Sequence, residues 1–161
     1  MHDDVVRTLA ATPDIVADIL ETLPEGAWTT KLIEDEWSLA DVIGHLRAAD
    51  SIWTPRILFA LVHDGITLPD VDERALQDVQ RAAEMDTGDQ VTLYAFTRAE
   101  LCGVLGALTE DAWSHAFTHE VRGAMTVIDA CTLVARHEAE HLEQLRLVAD
   151  ALRESFEPPT Q

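Results

Sequence analysis

The chain has 161 residues, 47% of them apolar, and eleven basic against thirty acidic side chains give a formal net charge of −19. This length predicts a single domain spanning residues 1–161, with a hydrophobic core of its own. The negative charge is spread along the chain and leaves no basic stripe for a phosphate backbone, which argues against nucleic acid as a partner. No apolar run approaches the roughly 20 residues of a membrane span. The acidic N-terminus has no signal-peptide pattern, so we expect a cytoplasmic protein with no membrane partner.

The two cysteines do not indicate a disulfide framework. Cys102 and Cys131 both fall inside helical patterns, whereas disulfide frameworks are typical of small, loop-rich secreted domains. We therefore expect two small buried thiols in a reducing compartment.

The first helix is predicted to begin at Thr12, because a hydroxyl N-cap is followed by a proline and an acidic residue. An apolar face follows, and Pro24 and Gly26 end the helix. Residues 1–11 are compatible with either a short helix or a frayed arm. Residues 156–161 contain two consecutive prolines and are the expected frayed end of the ordered chain.

The second helix is predicted to follow Ser38, whose hydroxyl caps it while Asp41 at the third position returns the capping bond. The helix runs to about His63 and must absorb Pro55. Its inward stripe consists of Leu39, Val42, Leu46, Ala49, Trp53 and Ile57. His45 borders this stripe.

Two longer connections separate the remaining helices. Residues 71–84 could form a short polar helix inside the first connection, and residues 109–125 form the second. The third long helix begins near Asp89, and its expected buried residues are Leu93, Phe96, Leu101, Val104, Leu105 and Leu108. A capping box at Thr126 opens the fourth. Because no convincing strand pattern occurs, the sequence predicts an all-α four-helix bundle with long crossover connections.

Two histidines one turn apart stand out in the last helix. The apolar stripe of that helix consists of Val127, Cys131, Val134, Leu145, Val148 and Leu152. His137 and His141 fill the gaps in this stripe, so both rings lie on the same inward face. Neutral imidazoles bind zinc, nickel, iron or manganese, but two ligands rarely complete a metal site. A third ligand is therefore expected elsewhere in the chain.

His45 is the natural third ligand among the seven histidines. It lies near the middle of the second helix, whereas His63 is about 27 Å further along at 1.5 Å per residue. His115 and His119 fall on a connection that nothing anchors. Three imidazoles with an open fourth position form a metal site of the catalytic type. The alternative is a set of partly buried polar residues with ordinary hydrogen bonds, which for His45 alone fits the sequence equally well.

Two other metal-site motifs overlap the histidine pair. Residues 137–141 read His-Glu-Ala-Glu-His and match the zincin protease motif, in which Glu138 would be the general base. That mechanism needs a cleft beside a sheet, and Gln144 and Leu147 stand where the metzincin extension requires glycine and histidine. The Glu-x-x-His of di-iron bundles also matches, but the chain has no second such pair. Both interpretations are disfavoured.

Four segments together resemble the DinB-like superfamily. Residues 37–46 read WSxxDVxxHL, and residues 137–144 read HxxxHxxQ. Residues 108–113 and 123–126, which contain LTxDxW and GxxT, also resemble it. This superfamily includes bacillithiol transferases of the YfiT type and mycothiol-dependent enzymes.

The resemblance implies a bundle with up-down-down-up connectivity and one divalent metal ion held by His45, His137 and His141. It also implies a low-molecular-weight thiol as a second cofactor and, for many members, a homodimer. Activity is established for some members of the superfamily and not for others.

Two hypotheses for function follow. In the first, the protein is a metal-dependent thiol S-transferase that acts on a small electrophile, with a thiol or water activated at the open metal position. In the second, it is a non-catalytic, stress-related protein that binds a metal or a small ligand. A fourth protein ligand, such as His119 or a glutamate, would favour the second hypothesis because a closed coordination shell is structural.

Two polar residues near the histidines have candidate catalytic roles. Asp41 lies one turn before His45 and could orient that imidazole, or could serve only as the capping partner of Ser38. Gln144 lies one turn after His141 and could hydrogen-bond a ligand or metal-bound water, or could make an interhelical contact.

Three charged residues remain to be placed. Arg56 lies on the His45 side of its helix and could bind an anionic cofactor or form a surface ion pair. The sequence locates no basic pocket around it, which weakens the enzyme hypothesis. Glu138 and Glu140 are expected to be solvated flanks of the histidines, although a glutamate that turned inward could act as a base.

Overall fold

The computed structural model describes residues 2–156 and is mostly helical. The helices are α1 (His2–Glu21), α2 (Leu39–Val62), α3 (Glu73–Val79), α4 (Thr87–Gly106) and α5 (Val127–Phe156). Short 3₁₀ turns span Glu25–Ala27, Ala82–Glu84 and Asp111–Ser114, and the strands are β1 (Ile66–Leu68), β2 (Ala116–His119) and β3 (Gly123–Thr126). Within residues 2–156, no helix is both long enough and apolar enough to cross a membrane. The predicted frayed end lies outside the described residues, apart from Phe156.

Two clusters of buried residues mark the two ends of the bundle. One contains Leu9, Trp53, Leu105 and Val134, and the other contains Leu20, Leu39, Tyr94 and Leu145. Helices α1 and α5 therefore run from the first cluster to the second, whereas α2 and α4 run in the opposite direction. This arrangement confirms the predicted four-helix bundle with up-down-down-up connectivity. Helices α1 and α2 each pack along both α4 and α5, so α1 and α2 lie on a diagonal and need a long connection.

Helix α1 begins ten residues earlier than predicted, at His2 instead of Thr12. Thr12 is not an N-cap, since its hydroxyl is buried and donates to Oε2 of Glu138 at 3.0 Å. Pro13 lies inside the helix, where its missing N–H leaves the carbonyl of Leu9 without its usual helical donor. Nη1 of Arg98 donates to that carbonyl at 3.4 Å. A side chain from a distant helix therefore compensates for the proline, which no local pattern could have indicated.

Helix α2 follows the prediction closely. Ser38 and Asp41 form the expected capping box, and the helix continues through Pro55. The six residues of the predicted inward stripe, Leu39, Val42, Leu46, Ala49, Trp53 and Ile57, are all buried. His45 is buried beside them, at 6% exposure.

Helix α4 presents a different face to the core than the apolar pattern predicted. Phe96 is 73% exposed and Leu93 is 44% exposed, while Tyr94 and Arg98 are fully buried. The prediction for Leu93, Phe96 and Val104 was therefore wrong, whereas Leu101 and Leu105 are buried as expected. In this register the guanidinium of Arg98 contacts the buried carboxylates of Asp50 and Glu138, and any other register would leave these buried charges unpaired, which is costly.

A small three-stranded sheet covers one end of the bundle, although no strand was predicted. Strand β1 pairs in parallel with β2, and β2 pairs antiparallel with β3. Each strand has only three or four residues, too few to establish an alternating pattern in the sequence. The predicted short polar helix inside 71–84 is confirmed as α3. Both connections thus fold back onto α2, and they bring Glu73, His119 and Arg122 towards His45 and Trp53.

Candidate metal centre

Three imidazoles from two helices converge between α2 and α5. Nε2 of His137 lies 3.1 Å from Nε2 of His45 and 3.1 Å from Nε2 of His141. The three side chains offer one ligand atom each, all within 4.8 Å of one another. The i, i+4 spacing places two of the rings on one face of α5, and the antiparallel approach of α2 supplies the third. The structure therefore brings together all three histidines that the sequence singled out.

The separation of these nitrogens fits a shared metal ion. With metal–nitrogen bonds of about 2.0–2.1 Å, tetrahedral angles place two ligand nitrogens roughly 3.3 Å apart. Octahedral right angles place them roughly 2.9 Å apart. The 3.1 Å observed for the two pairs that include His137 lies between these values. The donor set accordingly fits a divalent ion without selecting one metal.

Gln144 holds one of the three rings in the required tautomer. Its Oε1 lies 2.9 Å from Nδ1 of His141, so Nδ1–H donates to the amide and the Nε2 lone pair faces the other histidines. This contact with an imidazole of the same helix is neither of the two roles considered for Gln144 from the sequence. This position at i+3 was visible in the sequence.

Asp41 occupies the capping role. Its Oδ2 accepts hydrogen bonds from the backbone N–H of Ser38 at 3.0 Å and from the Ser38 hydroxyl at 2.8 Å. Nδ1 of His45 is buried and has no hydrogen-bond partner among residues 2–156, so Asp41 does not hold that ring. The suggestion that Asp41 orients His45 is therefore not supported by its contacts.

The surroundings of the centre keep His45 and His137 neutral. Burial, followed by the influence of His141, lowers the pKa of His45 to about 4, although Glu73 opposes this shift. Burial also lowers the pKa of His137, again opposed first by Glu73. Both rings are therefore unprotonated at neutral pH and have a lone pair available for a metal.

Glu73 is a site residue that the sequence interpretation missed. Its Oε2 lies 3.4 Å from Nε2 of His45 and 3.6 Å from Nε2 of His137. Its Oε1 accepts a hydrogen bond of 3.3 Å from the indole N–H of Trp53, which fixes the carboxylate. Glu73 stands in the first turn of α3, immediately after the N-cap Asp72. The residues around Glu73 indicate only the start of a helix. Its position near the histidines depends on how the connection between α2 and α4 packs against α2.

Glu138 points away from the histidines and into the core. It is 3% exposed and accepts hydrogen bonds from Arg98, Tyr94 and Thr12. The expectation of a solvated flank was wrong for Glu138, whereas Glu140 is exposed as expected. Glu138 is bound to the guanidinium of Arg98, on the side of the helix away from the histidines, so it cannot be the general base of the zincin motif. The match to that motif is therefore coincidental.

Two cavities open beside the centre, and His45 and Arg74 line both. The larger, about 630 Å³, is also lined by Trp37, His141, Gln144, Leu147 and Val148. The smaller, about 340 Å³, contains Trp53, Arg56, His119 and Arg122. The structure thus places Arg56 in a cavity that also reaches His45. Arg56, Arg74 and Arg122 meet there from three different segments, beside the carboxylates of Asp70, Asp72 and Glu73.

His119 is not part of the histidine cluster. Its Nδ1 accepts from the backbone N–H groups of Val121 and Arg122 at 3.2 and 3.3 Å, and its ring stacks on Trp53 at 5.7 Å. It therefore lies in the smaller cavity and does not supply the fourth ligand considered from the sequence. Burial lowers the pKa of His119, and the charge of Arg56 lowers it further.

The sequence profile of the DinB superfamily matches residues 8–145, which include the three histidines and Gln144. The chain belongs to the DinB superfamily. No curated protein matches the sequence.

Several solved structures share this fold. YfiT from Bacillus subtilis, described as a probable metal-dependent hydrolase with an unusual four-helix bundle topology, aligns with a TM-score of 0.84 and 17% identity over 97% of this chain and 89% of its own. The DinB-like protein YjoA from Bacillus subtilis aligns with a TM-score of 0.64 and 14% identity over 98% and 95%. A mycothiol-dependent maleylpyruvate isomerase aligns with a TM-score of 0.71 and 14% identity over 90% of this chain and 60% of its own. At these identities the likeness shows the fold alone.

Proposed function

We propose that this DinB superfamily member is a divalent-metal-dependent enzyme that transfers a low-molecular-weight thiol to a small electrophile. His45, His137 and His141 would hold one zinc, nickel, iron or manganese ion. The observation that carries the proposal is the convergence of three imidazole Nε2 atoms beside two cavities. Such a site leaves a coordination position open to a thiol or, in a hydrolytic reaction, to water.

A divalent ion bound there would act as a Lewis acid and lower the pKa of the thiol or water beside it. The protein side chains would orient the metal ligands and accept the proton. Gln144 keeps the ring of His141 in its ligating tautomer, and Glu73 accepts the proton that the thiol releases. The thiol sulfur then forms a bond to the electrophilic carbon, and the leaving group departs with the bonding electrons. Trp37, Leu147 and Val148 would supply an apolar surface for the electrophile in the larger cavity.

The comparisons support this proposal at a coarse level. YfiT is described as a probable metal-dependent hydrolase, and the isomerase is described as mycothiol-dependent. Those descriptions concern a metal and a thiol, the two components that the three-histidine centre is suited to combine.

The experiment that tests the proposal is elemental analysis of untagged protein together with a thiol-transfer assay on His141→Ala. We expect about one equivalent of metal in the wild type, and loss of both metal and transfer in the variant, because two ligands rarely hold a metal. His63→Ala is the matched control, since His63 is exposed at the end of α2. Metal and transfer activity that persist in His141→Ala, with the fold intact, would contradict the proposal.

A second candidate function is supported by Glu73. If its carboxylate moves onto the metal, the coordination shell closes and the protein becomes a non-catalytic metal- or ligand-binding protein. Cobalt-substituted protein distinguishes the two functions. In the enzyme, an added thiol should change the cobalt spectrum, and Glu73→Gln should retain the metal while transfer slows. In the binding protein, the thiol should leave the spectrum unchanged, and Glu73→Gln should alter it.

A further inference from the structure

The smaller cavity beside the metal centre brings three arginines together with three acidic residues, in a protein of net charge −19. Arg56 is 6% exposed, and its Nη2 donates to the backbone carbonyl of Pro69 at 2.6 Å. Neither Arg56 nor Arg122 forms an ion pair with any carboxylate among the described residues, although the chain has thirty acidic side chains. The charges of Asp70 and Glu73 act on Arg56 from a distance, but neither carboxylate pairs with the buried guanidinium directly, so its remaining donors are free to bind an anion.

The indole ring of Trp53 lies beside both arginines. The Cζ atoms of Arg56 and Arg122 lie 4.7 and 6.0 Å from the centroid of the indole ring. Stacking on an aromatic face holds a guanidinium in place while its N–H groups at the edge stay available as donors. The indole N–H donates to Glu73, which links Trp53 to the histidine centre.

His119 provides an independent indication of a ligand. Because its Nδ1 accepts two backbone N–H bonds, the neutral ring carries its proton on Nε2. The residue is 1% exposed, yet this Nε2 has no hydrogen-bond partner within residues 2–156. Asp70 Oδ1 lies 3.5 Å away, beyond a good hydrogen bond, on a side chain that is 51% exposed. A buried donor in the same cavity as two unpaired guanidinium groups therefore lacks an acceptor.

The acidic residues that line the cavity do not supply this acceptor. Asp72 caps α3 by accepting from the backbone N–H groups of Arg74 and Ala75. Glu73 accepts a hydrogen bond from the indole N–H of Trp53, and its other oxygen lies 3.4 Å from Nε2 of His45. The unpaired donors of the cavity therefore suit a carboxylate, whose two oxygens can accept two parallel N–H bonds from one guanidinium.

We propose that Arg56, Arg122 and His119 bind the carboxylate of a small organic anion whose other end reaches the metal centre along the shared cavity. The inference rests on the proposed function and refines it, since it requires one of the two reactants to carry a carboxylate. The larger cavity, with Trp37 and Leu147, then receives the less polar reactant.

Calorimetric titration with succinate and with its neutral diamide tests the proposal on the full-length protein, both metal-free and metal-loaded. We expect succinate to bind both forms and the diamide to bind neither. Arg122→Gln and Arg56→Gln should each weaken succinate binding at least about tenfold, because each removes a charge-assisted hydrogen bond. Arg153→Gln, an exposed arginine far along α5, should bind succinate like the wild type. Arg122 is exposed, so its substitution keeps the test valid if Arg56→Gln fails to fold.

Equal binding of the two compounds, or succinate affinity unchanged in Arg122→Gln, would overturn the proposal. Its failure can be distinguished from failure of the metal hypothesis. Succinate binding to a protein that takes up no metal would support the carboxylate site and overturn the proposed function. A protein that takes up metal but does not bind succinate would overturn the carboxylate site and leave the metal hypothesis standing.

Discussion

The guanidinium of Arg98 and the carboxylate of Glu138 form a fully buried ion pair, with Nη1 2.9 Å from Oε2. Arg98 also binds Asp50 of α2 at 2.7 Å, and Thr12 of α1 donates to Glu138. One charged cluster thus connects all four long helices at the level where the two apolar clusters meet. Because each helix contributes a polar group that is satisfied only in this arrangement, the cluster favours one relative register of the four helices.

Glu138→Gln should destabilise the fold and leave the metal centre intact. Removing one partner of a buried ion pair leaves the other charge poorly compensated, and we expect a loss of about 3 kcal/mol in the free energy of unfolding. Urea denaturation measures this loss, and elemental analysis should show unchanged metal content. Glu140→Gln, two residues away on the exposed face, is the control and should have little effect. Loss of activity without loss of stability would instead restore the catalytic base of the zincin motif.

The sequence predicted those parts of the protein that depend on local patterns. The capping box at Ser38, the inward stripe of α2 and the i, i+4 histidine pair each depend on residues within about two turns of one another. These features are encoded next to each other in the chain and could be recognised there.

The features that were missed depend on contacts between distant segments. The start of α1 was misplaced because the carbonyl freed by Pro13 is satisfied by Arg98, 89 residues away from Leu9. The face of α4 was misassigned because burying Arg98 needs carboxylates from two other helices. Glu73 and the arginine cavity depend on how a connection and a short sheet fold over α2, which hydrophobic periodicity does not encode.

Gln144→Leu should weaken metal binding without unfolding the protein. The substitution removes the acceptor for Nδ1–H of His141, so the ring loses its preferred tautomer and orientation. Loss of such a partner typically lowers metal affinity by about 10–100-fold, which competition with a chelator measures. Asp41→Ala is the contrasting variant. It should lower stability by about 1 kcal/mol through the lost cap and leave metal affinity unchanged. A larger metal defect in Asp41→Ala than in Gln144→Leu would reverse these assignments.

The thiol of Cys131 should be inert in the folded protein. Burial raises its pKa to about 12, and burial also raises the pKa of the half-buried Cys102. At pH 8 almost no thiolate is present at Cys131, and the thiolate is the reactive species. We expect a thiol-specific chromogenic reagent to label Cys102 slowly and Cys131 only after denaturation. Rapid labelling of both cysteines in the native protein, with Cys102→Ser as the reference variant, would contradict this placement.

Tyr94 should ionise only when the protein unfolds. Burial is the main cause that raises the pKa of Tyr94 well above 10. The neighbouring charge of Glu138, whose Oε1 accepts a hydrogen bond from the Tyr94 hydroxyl at 2.8 Å, raises it further. A group whose pKa is higher in the folded state contributes stability that is complete below its unfolded pKa. That contribution is lost as the pH rises above about 10, because the unfolded chain then releases the proton.

Tyr94 is the only tyrosine in the chain, so tyrosinate absorption reports on it alone. We expect this absorption and the loss of helical circular dichroism to follow one alkaline transition. In Tyr94→Phe, stability should be lower by about 1 kcal/mol at neutral pH and should fall less steeply above pH 10. Tyrosinate that forms while the helices remain intact would show that the hydroxyl is accessible to solvent and not held by Glu138.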